Sequence, residues 1–235
     1  MGSSREICTN PLPTPDEIGY FKSRLIVWHS QHSGNYPWRK SSATSYEKIV
    51  AEILLQRTRA ETVAKFFPDF ISCFPSWQRL SAADSGQLEA CLRPLGLWRQ
   101  RSRSLKRLAD EMVARDGKFP ADYEELRGLP CIGQYIANAI CLFYSSEPRP
   151  LLDVNMARVL ERYFGPRMMS DIRYDPYLQN LARDLIADVD SPIDMNFAVI
   201  DFARMVCKHR TPSCDSCPLA SKCRYAKKSG RLSNA

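Results

Sequence analysis

The chain has 235 residues, 44% of them hydrophobic and 25% charged, with 33 lysines and arginines against 26 aspartates and glutamates for a net charge of +7. Those proportions suit a globular chain with a real core and exclude a disordered acidic or low-complexity one. No run of about 18 apolar residues occurs, which excludes a membrane-spanning helix, and the basic balance makes a polyanion such as nucleic acid a candidate partner.

The N-terminal stretch MGSSREICTN lacks the apolar segment of a secretory signal. Nine cysteines without such a signal argue against a disulfide framework and for a cytoplasmic protein. Five of them, Cys8, Cys73, Cys91, Cys131 and Cys141, are scattered and read as small buried hydrophobes.

Along the chain the pattern is helical. SYEKIVAEILLQRT sets Tyr46, Ile49, Val50, Ile53 and Leu54 on one helical face. Glu52 lies on this segment with Lys48 one turn away, so an exposed ion pair is its plainest role. LGLWRQRSRSLKR interleaves Trp98 with basic residues, and SRSLKRLADEMVARDG then continues as an amphipathic helix through Leu105, Leu108 and Met112 or Val113, with Gly117 as its stop. LRGLPCIGQYIANAI, residues 126–140, reads as helix, tight turn, helix. Pro130 disfavours helix at Leu129, Gly133 lets the backbone turn, and a helix beginning near Gln134 aims free N–H groups at the turn. That end suits an anion such as a phosphate, although a plain connection explains it equally. LLDVNMARVLERYFG places Asp153 just ahead of a helix, the position of an N-cap. DPYLQNLARDLIADV and MNFAVIDFARMVC add two more helical stretches. Strand-like alternation is scarce, so the fold class is all-α, and the final AKKSGRLSNA reads as a frayed basic end.

The remaining four cysteines share one loop, spaced Cys207-x6-Cys214-x2-Cys217-x5-Cys223, with Pro212 and Pro218 stiffening it. Structural zinc sites usually offer two close pairs separated by a longer stretch. A single close pair flanked by lone cysteines leaves zinc open but favours a larger thiolate-bound body, a [4Fe–4S] cluster.

This loop resembles that of the endonuclease III family of helix-hairpin-helix DNA glycosylases, and LPCIGQYIANAI resembles the family's Leu-Pro-Gly-Val-Gly hairpin with Cys131 in place of the first glycine. The resemblance runs from YPWRK at residue 36 to Cys223. It implies a two-domain fold: a six-helix barrel with the hairpin over residues 36–150, and a helical domain of residues 1–35 and 151–235 carrying the [4Fe–4S] loop. It implies Asp153, Glu52 and Tyr135 as catalytic residues. Asp153 would stabilise the oxocarbenium-like sugar, Glu52 would bind the base, assist its departure or orient water, and Tyr135 stands where strand-cutting relatives carry a lysine. Tyrosine cannot form a Schiff base, so a monofunctional glycosylase follows.

The partner implied is double-stranded DNA with a mismatched or damaged base, met by a monomer with no membrane involved. The base is flipped out. By the resemblance, Gln56 and Arg57 would fill the gap, and Leu97 would wedge beside the opposite base with Trp98, Arg99, Gln100 and Arg101 around it. Ile132, Gly133 and Gln134 of the hairpin take a phosphate, and Lys208, Arg210, Lys222 and Arg224 add others. By the resemblance, Cys207, Cys214, Cys217 and Cys223 would hold the cluster. Two branches fit: thymine glycosylases acting on T·G and U·G, and MutY-type adenine glycosylases acting on A·8-oxoguanine. QRT where the latter typically show Gln-Gln-Thr, DVN where they show Asp-Gly-Asn, and the absence of their usual further C-terminal domain after Cys223 lean toward thymine and uracil. A cluster-bearing DNA-damage binding protein without catalysis is the rival from another class.

Overall fold

The computed structural model describes residues 12–145 and 147–230. Among them are twelve α-helices and no strand: α1 Pro15–His32, α2 Ser45–Leu55, α3 Ala60–Cys73, α4 Trp77–Ser81, α5 Ser85–Leu92, α6 Trp98–Ala114, α7 Tyr123–Gly128, α8 Gln134–Tyr144, α9 Val154–Phe164, α10 Pro176–Ile186, α11 Pro192–Met205 and α12 Arg224–Lys228. None is long and apolar enough to cross a membrane. The all-α expectation holds.

Helix starts follow local chemistry. Thr14 and Thr44 form capping boxes with Glu17 and Glu47, and Ser76, Asp84, Asp122, Asp153, Asp175 and Ser191 cap their helices through the side chain. The stop of α6 is shared. Asp116 (φ 53°) and Gly117 (φ 74°) are both left-handed, and Gly117 N–H donates to Met112 O at 2.7 Å.

The chain divides into two compact units. The unit spanning residues 35–147 buries Ile49, Leu54, Phe70, Leu88, Leu105 and Leu108. In it α2 packs on α8, and α6 packs on α4 and α5. The second unit joins α1 to residues 148–230 around Phe21, Leu25, Leu160, Phe164, Leu178 and Phe202. There α1 and α9 both pack on α11.

The scattered cysteines are less buried than expected. Cys73 is exposed, while Cys91, Cys131 and Cys141 are half-buried against the first core; Cys8 lies outside the described residues.

Candidate functional site

Asp153 is set by its approach as well as by its own cap. Leu151 and Leu152 are buried, and Leu151 N–H donates to Oδ1 of the fully buried Asn196 at 2.7 Å. The following residue therefore cannot slide. Oδ1 of Asp153 accepts from the N–H groups of Asn155 at 2.9 Å and Met156 at 2.8 Å, and Oδ2 accepts from Asn155 Nδ2 at 2.7 Å. Capping consumes part of the carboxylate's hydrogen-bonding capacity, yet the residue stays half-exposed beside an exposed Val154. The network runs on: Arg158 Nη1 donates to Asn155 Oδ1 at 3.0 Å, Nη2 to Ala203 O at 3.0 Å and Nε to Cys207 O at 3.0 Å. The carboxylate is thus tied to the backbone of the first loop cysteine. Asn155, Arg158 and Asn196 were not singled out from the sequence; the i, i+2 and i, i+5 spacing after Asp153 was the available signal for the first two.

Glu52 is 4% exposed, which overturns the exposed pair with Lys48. Every α2 residue from Ile49 to Leu54 is buried, so the helix has no water-facing side over that turn, and a carboxylate there is held inside. Tyr135, half-buried, is the second residue of α8, the helix packed on α2.

In the hairpin the left-handed position falls on Cys131 (φ 54°), not on Gly133, which is extended at φ −82°, ψ 178°. Cys131 Sγ donates to Ser104 O at 3.2 Å, and burial pushes its thiol up to about 12. Gly133 is exposed, and an added Cβ would meet nothing within 4 Å. Nothing inside the protein demands a glycine there, whereas the bare backbone admits another molecule closely. Gly133 also leaves α8 without a side-chain cap, so its first N–H groups remain for an outside acceptor. Ile132 is buried and anchors the turn; Gln134 is half-buried.

Gln56, Arg57, Leu97, Arg99 and Gln100 are exposed, Leu97 at 51%. The guanidiniums of Arg93 and Arg99 lie 5.3 Å and 4.1 Å from the Trp98 ring centre. Arg57 (φ 57°) and Leu97 (φ 49°) are left-handed, a conformation that ordinary side chains occupy at a cost and that collects at functional loops. Arg101 departs from the expectation of a DNA contact. It is 7% exposed, and its guanidinium is bound by protein oxygens.

Cys207, Cys214, Cys217 and Cys223 line one recess, walled by apolar residues such as Val159, Phe202 and Leu219. Among the described residues, no three His, Cys, Asp or Glu side chains converge on the position of a single metal ion. Backbone N–H groups of Leu219, Tyr225 and Ala226 point at Cys217 and Cys223 sulfurs. Burial nevertheless pushes the Cys217 thiol up to about 12 and raises Cys223, so these thiolates form readily only beside compensating positive charge. Four soft donors around an apolar recess, with amides aimed at sulfur, fit an iron–sulfur cluster in donor type. Arg162 fastens the loop from α9, donating from Nη1 to Lys208 O at 2.7 Å and from Nη2 to His209 O at 2.8 Å, with Nη1 3.4 Å from Cys207 Sγ. Lys208, Arg210 and Lys222 are exposed and Arg224 is half-exposed.

Residues 50–175 match the family model described as HhH-GPD superfamily base excision DNA repair protein. A thymine/uracil-DNA glycosylase of Pyrobaculum aerophilum is 35% identical over 96% of this chain and 100% of its own length. An adenine DNA glycosylase of Buchnera aphidicola is 30% identical over 87% of this chain and 59% of its own. Among solved structures, a thermostable thymine-DNA glycosylase superposes with a TM-score of 0.82 at 26% identity, over 91% of this chain and 98% of that one.

Proposed function

The chain belongs to the HhH-GPD superfamily of base excision DNA repair proteins and is a DNA glycosylase, and we propose that it hydrolyses the N-glycosidic bond of thymine or uracil opposite guanine without cutting the strand. The observation that supports the chemistry most directly is Asp153: a half-exposed carboxylate held by three hydrogen bonds from its own helix. The substrate choice leans on the thymine/uracil relative matched along nearly the whole chain.

As the base departs, positive charge develops on the deoxyribose. A fixed carboxylate stabilises that charge without reorganising at the moment of reaction. Asp153 takes this role, because its network holds the oxygen pair in one orientation. Glu52, kept from bulk water on α2, hydrogen-bonds the leaving base or orients the attacking water. Tyr135 offers a phenol where a Schiff-base enzyme needs an amine, so the product is an intact abasic site. The uncapped start of α8 with Gly133 takes a phosphate. Gln56, Arg57 and Leu97 fill the gap in the stack. Residues 35–147 supply the hairpin-bearing barrel, and the second unit supplies Asp153 and the cysteine loop. Cys207, Cys214, Cys217 and Cys223 would hold a [4Fe–4S] cluster, which when bound would supply the iron charge that stabilises the four thiolates and fixes their loop.

The test is a base-release panel on labelled duplexes carrying T·G, U·G, A·8-oxoguanine and matched pairs, with alkali cleavage of abasic sites. Release from T·G and U·G alone is expected. Release only from A·8-oxoguanine would replace the substrate with the one named for the Buchnera relative. Binding without release from any duplex would favour the non-catalytic damage binder.

A further inference from the structure

Arg101 makes five hydrogen bonds with one guanidinium, which has five N–H groups to give. Nε donates to Gly96 O at 3.1 Å. Nη1 donates to Ile53 O at 3.1 Å and Leu54 O at 2.9 Å, and Nη2 to Gln56 O at 2.6 Å and Thr58 Oγ1 at 2.7 Å. Ile53 and Leu54 lie in the last turn of α2, where Ile53 O accepts a long bond from the C-cap Gln56 N–H at 3.4 Å, and that turn has no basic residue of its own. Arg101, from α6, therefore caps α2 from outside.

The same head bounds two loops that carry exposed left-handed residues, Arg57 and Leu97. Gln56 O and Thr58 Oγ1 flank Arg57, and Gly96 O immediately precedes Leu97. Backbone held in the left-handed region persists only where its surroundings over-determine it. Here the restraint on both sides comes from one planar, rigid group, which the three donors of a lysine cannot reproduce. No carboxylate pairs with Arg101 among the described residues, so its charge is met by four carbonyl dipoles and one hydroxyl.

We propose that Arg101 is the positioning residue of the DNA-inserting surface: its guanidinium locks the Gln56–Arg57 loop to the Gly96–Leu97 turn, so that both segments enter the duplex as one rigid wedge. The inference rests on the reading above that these segments insert into DNA.

Two variants test it. Arg101→Lys keeps the charge but loses the fork, and Thr58→Val removes a single acceptor at little risk to folding. Single-turnover uracil release is measured on a U·G duplex with 2-aminopurine beside the uracil, and on uracil held in a short unpaired bubble where no stack needs breaking. Amide exchange of the free proteins is followed over residues 55–58 and 96–98. Both variants should lose protection in the two segments together. In Arg101→Lys, release from the U·G duplex should fall by about tenfold to a hundredfold, the scale of a slight misplacement, with a smaller 2-aminopurine rise and less than about threefold change on the bubble. Equal loss on both substrates, no loss on either, or loosening of only one segment would overturn the proposal. A wild-type protein that releases nothing from either substrate overturns the functional reading instead, and the exchange data still decide whether Arg101 couples the loops.

Discussion

Asn155 Nδ2 stands 2.7 Å from Asp153 Oδ2, while the Asn155 N–H, 2.9 Å from Oδ1, holds the other oxygen. One residue therefore grips both oxygens of the proposed catalytic carboxylate. Replacing Asp153 by Asn should leave mismatch binding intact and lower single-turnover base release by at least about a hundredfold, the scale of losing one preorganised electrostatic group. Asn155→Ala should cost less, about tenfold, through a looser carboxylate. Gel-shift titration beside single-turnover kinetics checks both; a fully active Asp153→Asn removes Asp153 from its role.

Glu52→Gln tests the buried carboxylate without changing its volume. A group that moves or orients a proton contributes on the order of a hundredfold to ten-thousandfold, so release should fall within that range. Unchanged turnover would make Glu52 a structural member of the core.

Tyr135 is expected to prevent covalent trapping. Wild-type protein mixed with substrate duplex and borohydride should give no protein–DNA adduct on a denaturing gel, whereas Tyr135→Lys should give one, because an amine then stands at the head of α8. An adduct with wild-type protein would contradict the monofunctional assignment.

Cys131 carries a backbone (φ 54°) that a glycine would adopt without strain. Cys131→Gly gains that freedom and loses the Sγ contact to Ser104, so its stability should lie within about 1 kcal/mol of wild type. Cys131→Val should be worse by about 2 kcal/mol or more, since a branched side chain tolerates the left-handed region least. Thermal melts decide between them.

The same thiol sets an alkaline limit. Its ordinary value is 9.0 and burial raises it to about 12. Folding therefore favours the protonated form: the contribution is complete below pH 9 and disappears as the pH rises through about 12. Chemical denaturation across that window should show falling stability, with a flatter slope in Cys131→Ala. In the folded protein near neutral pH, alkylation followed by peptide mass mapping should label the exposed Cys73 well ahead of Cys131.

The sequence by itself determined the helices, because apolar spacing and caps such as Thr44, Asp153 and Asp175 act within a few residues. It also marked the cysteine loop as a candidate ligand set, since four thiols within 17 residues need no distant partner to be noticed. The family motifs carried Asp153, Glu52 and Tyr135. What the spacing of residues could not reach was decided by packing. Glu52 is buried because α2 is enclosed on every side. Cys131, not Gly133, takes the left-handed turn because Ser104 of a separate helix holds its sulfur. Arg101 is turned inward because the carbonyls it meets, at the end of α2 and on its C-cap Gln56, lie 45 to 48 positions away in sequence. A local pattern states which groups a residue can offer; only the tertiary structure brings the acceptors that consume them, and an arginine whose five donors are all taken inside the protein has none left for DNA.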